Sequence, residues 1–171
     1  MLTNINPHSL TSLHNHTIFC DGENDVETMC RAAFEKGLAA VGFSSHAPIE
    51  KTGLESNWNM KTERLGEYID QVHAARRRWE GKIAVYLGVE VDYVKGLRSA
   101  RDGDIQGLGL DYAIGSVHYL VPPRGAPFAV DGPAEELERA AEPPADKPVK
   151  ADKNGQQEIW DFGEGYHDDC I

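Results

Sequence analysis

A parallel α/β sheet is the fold class that this sequence predicts, and three observations carry the expectation. Short apolar runs alternate along the chain with longer amphipathic stretches, the pattern of parallel strands joined by crossover helices. The amphipathic stretches place apolar residues at helical spacing. The apolar runs are compact, as strands buried on both faces are. Periodicity alone leaves open whether the sheet is an open one or part of a barrel.

The elements follow in order. The first strand is expected from Leu10 to His16. After a turn rich in Gly, Asp and Asn, Asn24 or Asp25 can cap a helix in which Val26, Met29, Ala33 and Phe34 recur at i, i+3, i+7 and i+8. Gly37 is placed to end that helix, and Leu38 to Ser44 forms the next strand, completing a βαβ unit. A second helix is expected from Lys61 to Trp79, with Leu65, Tyr68, Ile69, Val72 and Ala75 on one stripe. Strands from Ile83 to Glu90 and from Tyr112 to Val117 follow, the latter after a loop rich in Gly and Asp.

Composition narrows the function. At 171 residues the chain suffices for one domain with a real core. Its 28 acidic and 17 basic side chains give a formal charge of −11, which repels polyanions and argues against nucleic acid as a partner. A small cationic or zwitterionic substrate suits that surface better. Cys20, Cys30 and Cys170 form neither a paired framework nor a C-x-x-C ribbon and are read as reduced thiols. No stretch reaches the apolar length of a bilayer span, and Met1-Leu2-Thr3-Asn4 does not open a secretory leader. No membrane partner is expected, and the cytoplasm is the expected location.

The last quarter has a different character. Seven of the nine prolines lie between Pro122 and Pro148, and residues 131–171 carry 12 acidic and 4 basic side chains. The run from Ala140 to Pro148 has no strand or helix period and too little apolar area to offset the entropy of ordering. The expected organisation is therefore an α/β domain over 1–130 and an acidic, Pro-rich, irregular tail over 131–171.

The chemistry is expected at one end of the sheet. His14 and His16, His46, Glu90 and His118 each fall at or just past the carboxyl end of an expected strand, where parallel α/β folds build their sites. A side-chain period of two turns His14 and His16 the same way, so both imidazoles can reach one ion. Asp21 follows in the next loop. Mixed imidazole and carboxylate ligands suit zinc, manganese or iron, and a glutamate can bridge two ions with its two oxygens.

Each residue also has a structural reading. A lone His-x-His is weak evidence, and a single His after Ser44-Ser45 is weaker. Glu90 is more telling, because a carboxylate ending a buried strand is costly unless paired or metal-bound. Four coincidences at one end of one sheet favour a metal site. His8 in the polar leader and His73 within a helix are read as structural. Cys20 is near enough to His16 to serve as a ligand but is read as packed in its turn. Arg76-Arg77-Arg78 closes a helix, complements its dipole and is read as a solvated end.

Leu13-His14-Asn15-His16-Thr17 with Cys20-Asp21-Gly22, Phe43-Ser44-Ser45-His46-Ala47-Pro48, Leu87-Gly88-Val89-Glu90-Val91-Asp92-Tyr93, and Leu110 to His118 resemble, in order and spacing, the successive motifs of histidinol-phosphatases of the PHP (polymerase and histidinol phosphatase) superfamily. Trp58-Asn59-Met60 resembles that subfamily more than the polymerase-associated members. The resemblance covers residues 9–121. It implies a distorted (β/α)7 barrel with up to three divalent ions at its carboxyl end. It further implies that His14 and His16 bind one ion, that Glu90 bridges it to a second held by His118, and that Asp21 and His46 serve a third. Glu90, His118 and His46 are the residues expected to take part in catalysis.

The implied reaction is hydrolysis of L-histidinol phosphate to L-histidinol and phosphate in histidine biosynthesis. Clustered cations activate water and clamp phosphoryl oxygens, which is most of what phosphoryl transfer requires. Asp92, or another acid near the mouth, is a candidate for attracting the substrate amine. Two other readings stand beside this one. One is a phosphoesterase for another phosphate ester or a nucleotide, since first-shell ligands do not choose the leaving group. The other is a non-catalytic metal-binding remnant, because the family supplies further ligands late in the chain and His167-Asp168-Asp169 has the wrong spacing for them. Glu158 to Gly163 resembles no family motif. The expectation is then a truncated or frame-altered chain holding about half of the barrel, with exposed strand edges.

Overall fold

The computed structural model describes residues 10–54, 56–121 and 127–130, together with 134, 135 and 138. The expectations for His8, Cys170, His167–Asp169, Glu158–Gly163 and almost all of the 131–171 tail lie outside those residues. The chain divides into two compact units, Met1–Asp131 and Gly132–Ile171. Of the second, the described residues Ala134, Glu135 and Glu138 are helical and exposed.

The first unit is built on β1 (Thr11–Ser12), α1 (Val26–Glu35), β2 (Ala40–Phe43), α2 (Leu65–Arg78), β3 (Ala84–Asp92), the short α3 (Gly103–Gln106) and β4 (Tyr112–Ser116). The four strands form one sheet in the order β1-β2-β3-β4, and every pairing is parallel. Register is set by Thr11 opposite Ala40, Val41 opposite Val85, and Glu90 opposite Ile114. Each new strand joins the same edge, as in a barrel, whereas the order reverses in a doubly wound open sheet. A separate antiparallel pair, β5 (Tyr119–Leu120) and β6 (Phe128–Ala129), was not foreseen from the sequence.

The period of two sorts β3 into two faces. Val85, Leu87, Val89 and Val91 all enter the main core with Val41 and Phe43 of β2. Val26, Cys30 and Ala33 of α1 and Tyr68, Val72 and Ala75 of α2 cover that face. Each large apolar side chain so buried contributes roughly 1.5–3 kcal/mol. Gly88, Glu90 and Asp92 therefore turn to the opposite face. There the Tyr112 side chain lies across Gly42 and Gly88, and an added Cβ would come within 2.5 Å of its hydroxyl at Gly42 and of its ring at Gly88.

Local chemistry explains the helix ends. Asp25 caps α1 by accepting the Thr28 N–H at 2.7 Å. At the other end the Gly37 N–H donates to Phe34 O and the Leu38 N–H to Ala33 O, a Schellman closure. The second helix starts later than expected. Residues 62–64 form a 3-10 turn because the Thr62 N–H and hydroxyl both bond the Glu50 carboxylate, at 3.2 and 2.8 Å.

Other expectations need correction. The first strand is two residues long rather than seven. After Ser12, the Asn15 side chain replaces the main-chain ladder, donating to Ser12 O at 3.0 Å and to Gly42 O at 2.8 Å. Strand β3 runs two residues beyond Glu90, to Asp92. Phe34 is 45% exposed and rests against Trp79 rather than in the core. Arg76 is not a solvated end: its Nε donates to Val85 O at 2.8 Å and its guanidinium pairs with Asp111. Among the described residues β4 is paired on one edge only, with Ala113 and Gly115 exposed and Val117 58% exposed beyond them.

Candidate metal centre

Four segments converge at the carboxyl ends of β1 to β4. Asn15 holds the first beside β2, since its main-chain oxygen accepts the Ser44 N–H at 2.9 Å. That anchor delivers His14 and His16 on either side of it. A tight turn then returns Asp21 to His16, with the Cys20 and Gly22 N–H groups both donating to Thr17 O. Any side chain at position 22 would strike the His16 main chain, so the turn needs glycine. His46 forms an isolated parallel bridge with Glu90, and the Ala47 N–H donates to Glu90 O at 2.7 Å. Thus the fold fixes His46 beside Glu90 through the main chain, before any side chain is considered.

Glu90 is the hub. Its residue is 3% exposed, and Oε2 lies 2.8 Å from both His14 Nε2 and His16 Nε2. His46 Nδ1 is 3.8 Å from the same oxygen, and His118 Nε2 is 3.8 Å from Oε1. Asp21 Oδ1 bonds His16 Nδ1 at 2.7 Å, while Asp21 Oδ2 lies 3.9 Å from His46 Nε2. The imidazole rings form a continuous arc, with centroids 5.3, 4.5 and 5.2 Å apart from His14 through His16 and His46 to His118. All six residues anticipated from the sequence, His14, His16, Asp21, His46, Glu90 and His118, are brought into this one cluster.

Electrostatics follow from that crowding. Burial pushes the Glu90 carboxyl up, but the His14 hydrogen bond and the nearby imidazoles outweigh it and hold it below the usual carboxylate range. His16 is raised to about 9, chiefly by a hydrogen bond with Cys20 and then by Asp21, against the opposing effect of burial. Burial lowers His46 despite the attraction of Glu90 and Asp92. The arrangement holds negative charge at its centre and imidazole nitrogens around it.

The donor set fits a divalent cation on its own geometry. His46 is 5% exposed, yet its Nδ1 is buried without a hydrogen-bond partner among the described residues. A buried ring nitrogen left so costs roughly 1–3 kcal/mol unless something occupies the gap. The gaps of 3.8–3.9 Å are too long for hydrogen bonds. They leave space for an ion about 2.0–2.2 Å from each ligand. Ligand atoms of His14, His16 and Glu90 lie within 4.8 Å of one another, as do those of His16, Cys20 and Asp21, and those of His46, Asp92 and His118.

Asp92 departs from its expected place. It is 2% exposed, and its oxygens take the Asn59 Nδ2 at 2.7 Å, the His118 Nδ1 at 2.6 Å and the Ser116 hydroxyl at 3.2 Å. A carboxylate so enclosed has no face for a substrate amine. Sequence reasoning also passed over Asn15 and Asn59, which act through side-chain bonds to distant main chain. Cys20 is half-buried in its turn and lies beside His16 and Asp21. His73 is half-buried on α2 and belongs to none of the three groups.

A parallel half-barrel with a histidine and carboxylate cluster at its carboxyl ends defines a class of protein, and the chain belongs to it: the PHP domain family matches residues 12–150. Two curated relatives are similar in sequence. The Deinococcus radiodurans protein named "Probable histidinol-phosphatase" is 33% identical over 112 residues, 65% of this chain and 43% of that protein. The Bacillus subtilis strain 168 protein named histidinol-phosphatase is 31% identical over 116 residues, 63% of this chain and 43% of its own length. Among solved structures, a Listeria monocytogenes protein assigned as the histidinol phosphatase hisK superposes with a TM-score of 0.63 at 23% identity, over 75% of this chain and 52% of that one. A Lactococcus lactis histidinol phosphate phosphatase, complexed with zinc, L-histidinol and phosphate, gives a TM-score of 0.54 at 23% identity, over 64% and 40%. The fold is thus that of part of a PHP barrel. The chain spans about half or less of the length of each of these proteins.

Proposed function

We propose that this chain carries the metal centre of a phosphomonoesterase, and that its substrate is L-histidinol phosphate, hydrolysed to L-histidinol and phosphate. The observation that carries the reading is the buried Glu90 carboxylate faced by imidazoles from three other segments, with one ring nitrogen left unpaired. The names of the two curated relatives support the substrate. Zinc, bound in the Lactococcus lactis neighbour, is the first candidate ion.

In this reading His14, His16, Asp21, His46, Glu90 and His118 would hold the ions, with the Glu90 carboxylate as their shared ligand. Divalent cations at such a site lower the pKa of water towards neutrality and neutralise phosphoryl oxygens. Glu90 supplies the central charge and His46 packs against it. Water adds to phosphorus as the bond to the ester oxygen breaks, and the proton released by water ends on the departing alcohol. A cytoplasmic location goes with this reading; among the described residues no helix is long and apolar enough to cross a membrane.

A second reading is a metal-binding unit without turnover, since a cluster of imidazoles and carboxylates can hold an ion whether or not an ester is hydrolysed there. Elemental analysis of the purified chain, combined with phosphate release from L-histidinol phosphate and from an aryl phosphate, separates the readings. Bound metal with a preference for L-histidinol phosphate is the expected result. Metal without release of phosphate from either ester selects the second reading, and comparable turnover of both esters points to a different substrate.

A further inference from the structure

Asp92 sits behind His118 as seen from Glu90. We infer that Asp92 is the positioning residue of His118, fixing the imidazole so that Nε2 presents its lone pair beside Glu90. The inference rests on the reading of His118 as a cation ligand and extends it to a residue outside the ligand set.

The geometry is specific. An ionised carboxylate only accepts, so the 2.6 Å contact with Asp92 Oδ1 requires the proton of a neutral His118 to reside on Nδ1. Nε2 is then the acceptor, and it is the nitrogen that faces Glu90 Oε1 at 3.8 Å. Asp92 is itself held on three sides. The Asn59 Nδ2 donates to its Oδ2 at 2.7 Å and also to Ala47 O at 2.9 Å, one residue past His46. The Ser116 hydroxyl donates to Oδ1 at 3.2 Å from the end of β4, two residues before His118. Asp92 is 2% exposed, so water cannot replace these donors and the carboxylate has little freedom to swing towards the cluster.

The strand supplies the reason for the pairing. Glu90 and Asp92 share one face of β3, because side chains two apart on a strand point the same way. One carboxylate thus meets the imidazole arc directly and the next supports its last member from behind. Histidines that bind metals commonly donate their second N–H to a carboxylate, which sets the tautomer and raises ligand basicity.

The test uses the full chain and needs no turnover. Long-range proton–nitrogen spectra of the metal-free protein, at mildly alkaline pH, should show His118 as the Nδ1–H tautomer. Zinc affinity, measured by competition with a chromophoric chelator, should fall roughly 10–100-fold in Asp92→Asn. Ser116→Ala, which removes one of the bonds holding Asp92, should lower it by a smaller factor. An Nε2–H tautomer, unchanged zinc affinity in a folded Asp92→Asn protein, or a metal–oxygen bond to Asp92 by X-ray absorption would each overturn the inference. If Asp92→Asn does not fold, the tautomer of the unaltered protein and the Ser116→Ala affinity decide. Should these results hold while no ester is hydrolysed, the proposed activity fails and the positioning role stands.

Discussion

Glu90 Oε2 and His16 Nε2 lie 2.8 Å apart, though 74 residues separate them in the chain. His14 approaches the same oxygen at the same distance, so one atom organises both histidines of the first motif. Replacing that carboxylate removes the negative charge that meets His14 and His16 directly. Glu90→Gln is expected to lose bound metal and to lower phosphate release by at least about a hundredfold, the scale seen when one electrostatic stabiliser is removed. Far-UV circular dichroism should stay nearly unchanged, because α1 and α2 pack on the other face of the sheet. Turnover surviving the change would show that Glu90 does not bridge the ions.

Tyr68 links the helical layer to the strand that carries Glu90. It is fully buried, and its hydroxyl donates to Gly88 O at 2.8 Å. Tyr68→Phe keeps the ring but leaves that carbonyl without its donor, which should cost about 1–3 kcal/mol. A lower urea midpoint with an unchanged slope is the expected readout, and a midpoint equal to that of the unaltered protein would contradict the bond.

Gly88→Ala probes the other face. The added methyl would run into the Tyr112 ring, so a loss of roughly 1–3 kcal/mol from overpacking is expected. The double change Gly88→Ala with Tyr112→Leu should recover part of that loss. Additive effects in a thermal melt would mean the two positions do not touch.

Among the peripheral carboxylates that contribute to acid sensitivity is Asp104. Asp104 is held down to about 2 from its ordinary 3.8, first by the Lys51 hydrogen bond and then by Arg98. A depressed folded value means that its stabilisation is fully present above 3.8 and disappears as pH falls through about 2. Because the Lys51 pair is exposed, the effect should stay below about 1 kcal/mol. Asp104→Asn should therefore lower the melting temperature slightly at pH 6, with the difference shrinking as pH is lowered towards 3. A difference that grew on acidification would reverse the assignment.

Thiol chemistry should distinguish two cysteines. Cys30 is fully buried in the core, and burial pushes its thiol up to about 12. Cys20 is only half-buried, and although burial opposes it, His16 and Ser45 hold its thiol below the usual value. Iodoacetamide labelling followed by peptide mapping should modify Cys20 well before Cys30. Added zinc should slow the Cys20 reaction, since an ion on His16 and Asp21 would crowd it. Equal labelling of both thiols would show that the native packing around Cys30 is looser than described.

Much of the site was legible in the sequence because its ligands obey local rules. Apolar runs end at His46, Glu90 and His118, and a parallel sheet aligns such ends on one side whatever the side chains are. The His14/His16 pair needed only its spacing of two. Errors arose where a distant group intervened. Asn15 shortened β1 by bonding across to Gly42. Trp79 drew Phe34 away from the core, and Asp111 turned Arg76 from a solvated helix end into a tether. Each depends on a partner dozens of residues away, which no local window contains.

Taken by itself, the sequence determined the alternation of the main strands and helices, the buried stripe of α2, and the residue types available to a cation. Periodicity and side-chain chemistry are properties of neighbouring residues, so these needed no coordinates. Tertiary structure decided the rest: that the strands add in sequential order as in a barrel, that Glu90 stands at the centre of the imidazoles, and that Asp92 is enclosed by Asn59, Ser116 and His118 instead of lying at the mouth. Those outcomes depend on which strands become neighbours and on how far each side chain reaches across the gap between them, and only the packed chain fixes either.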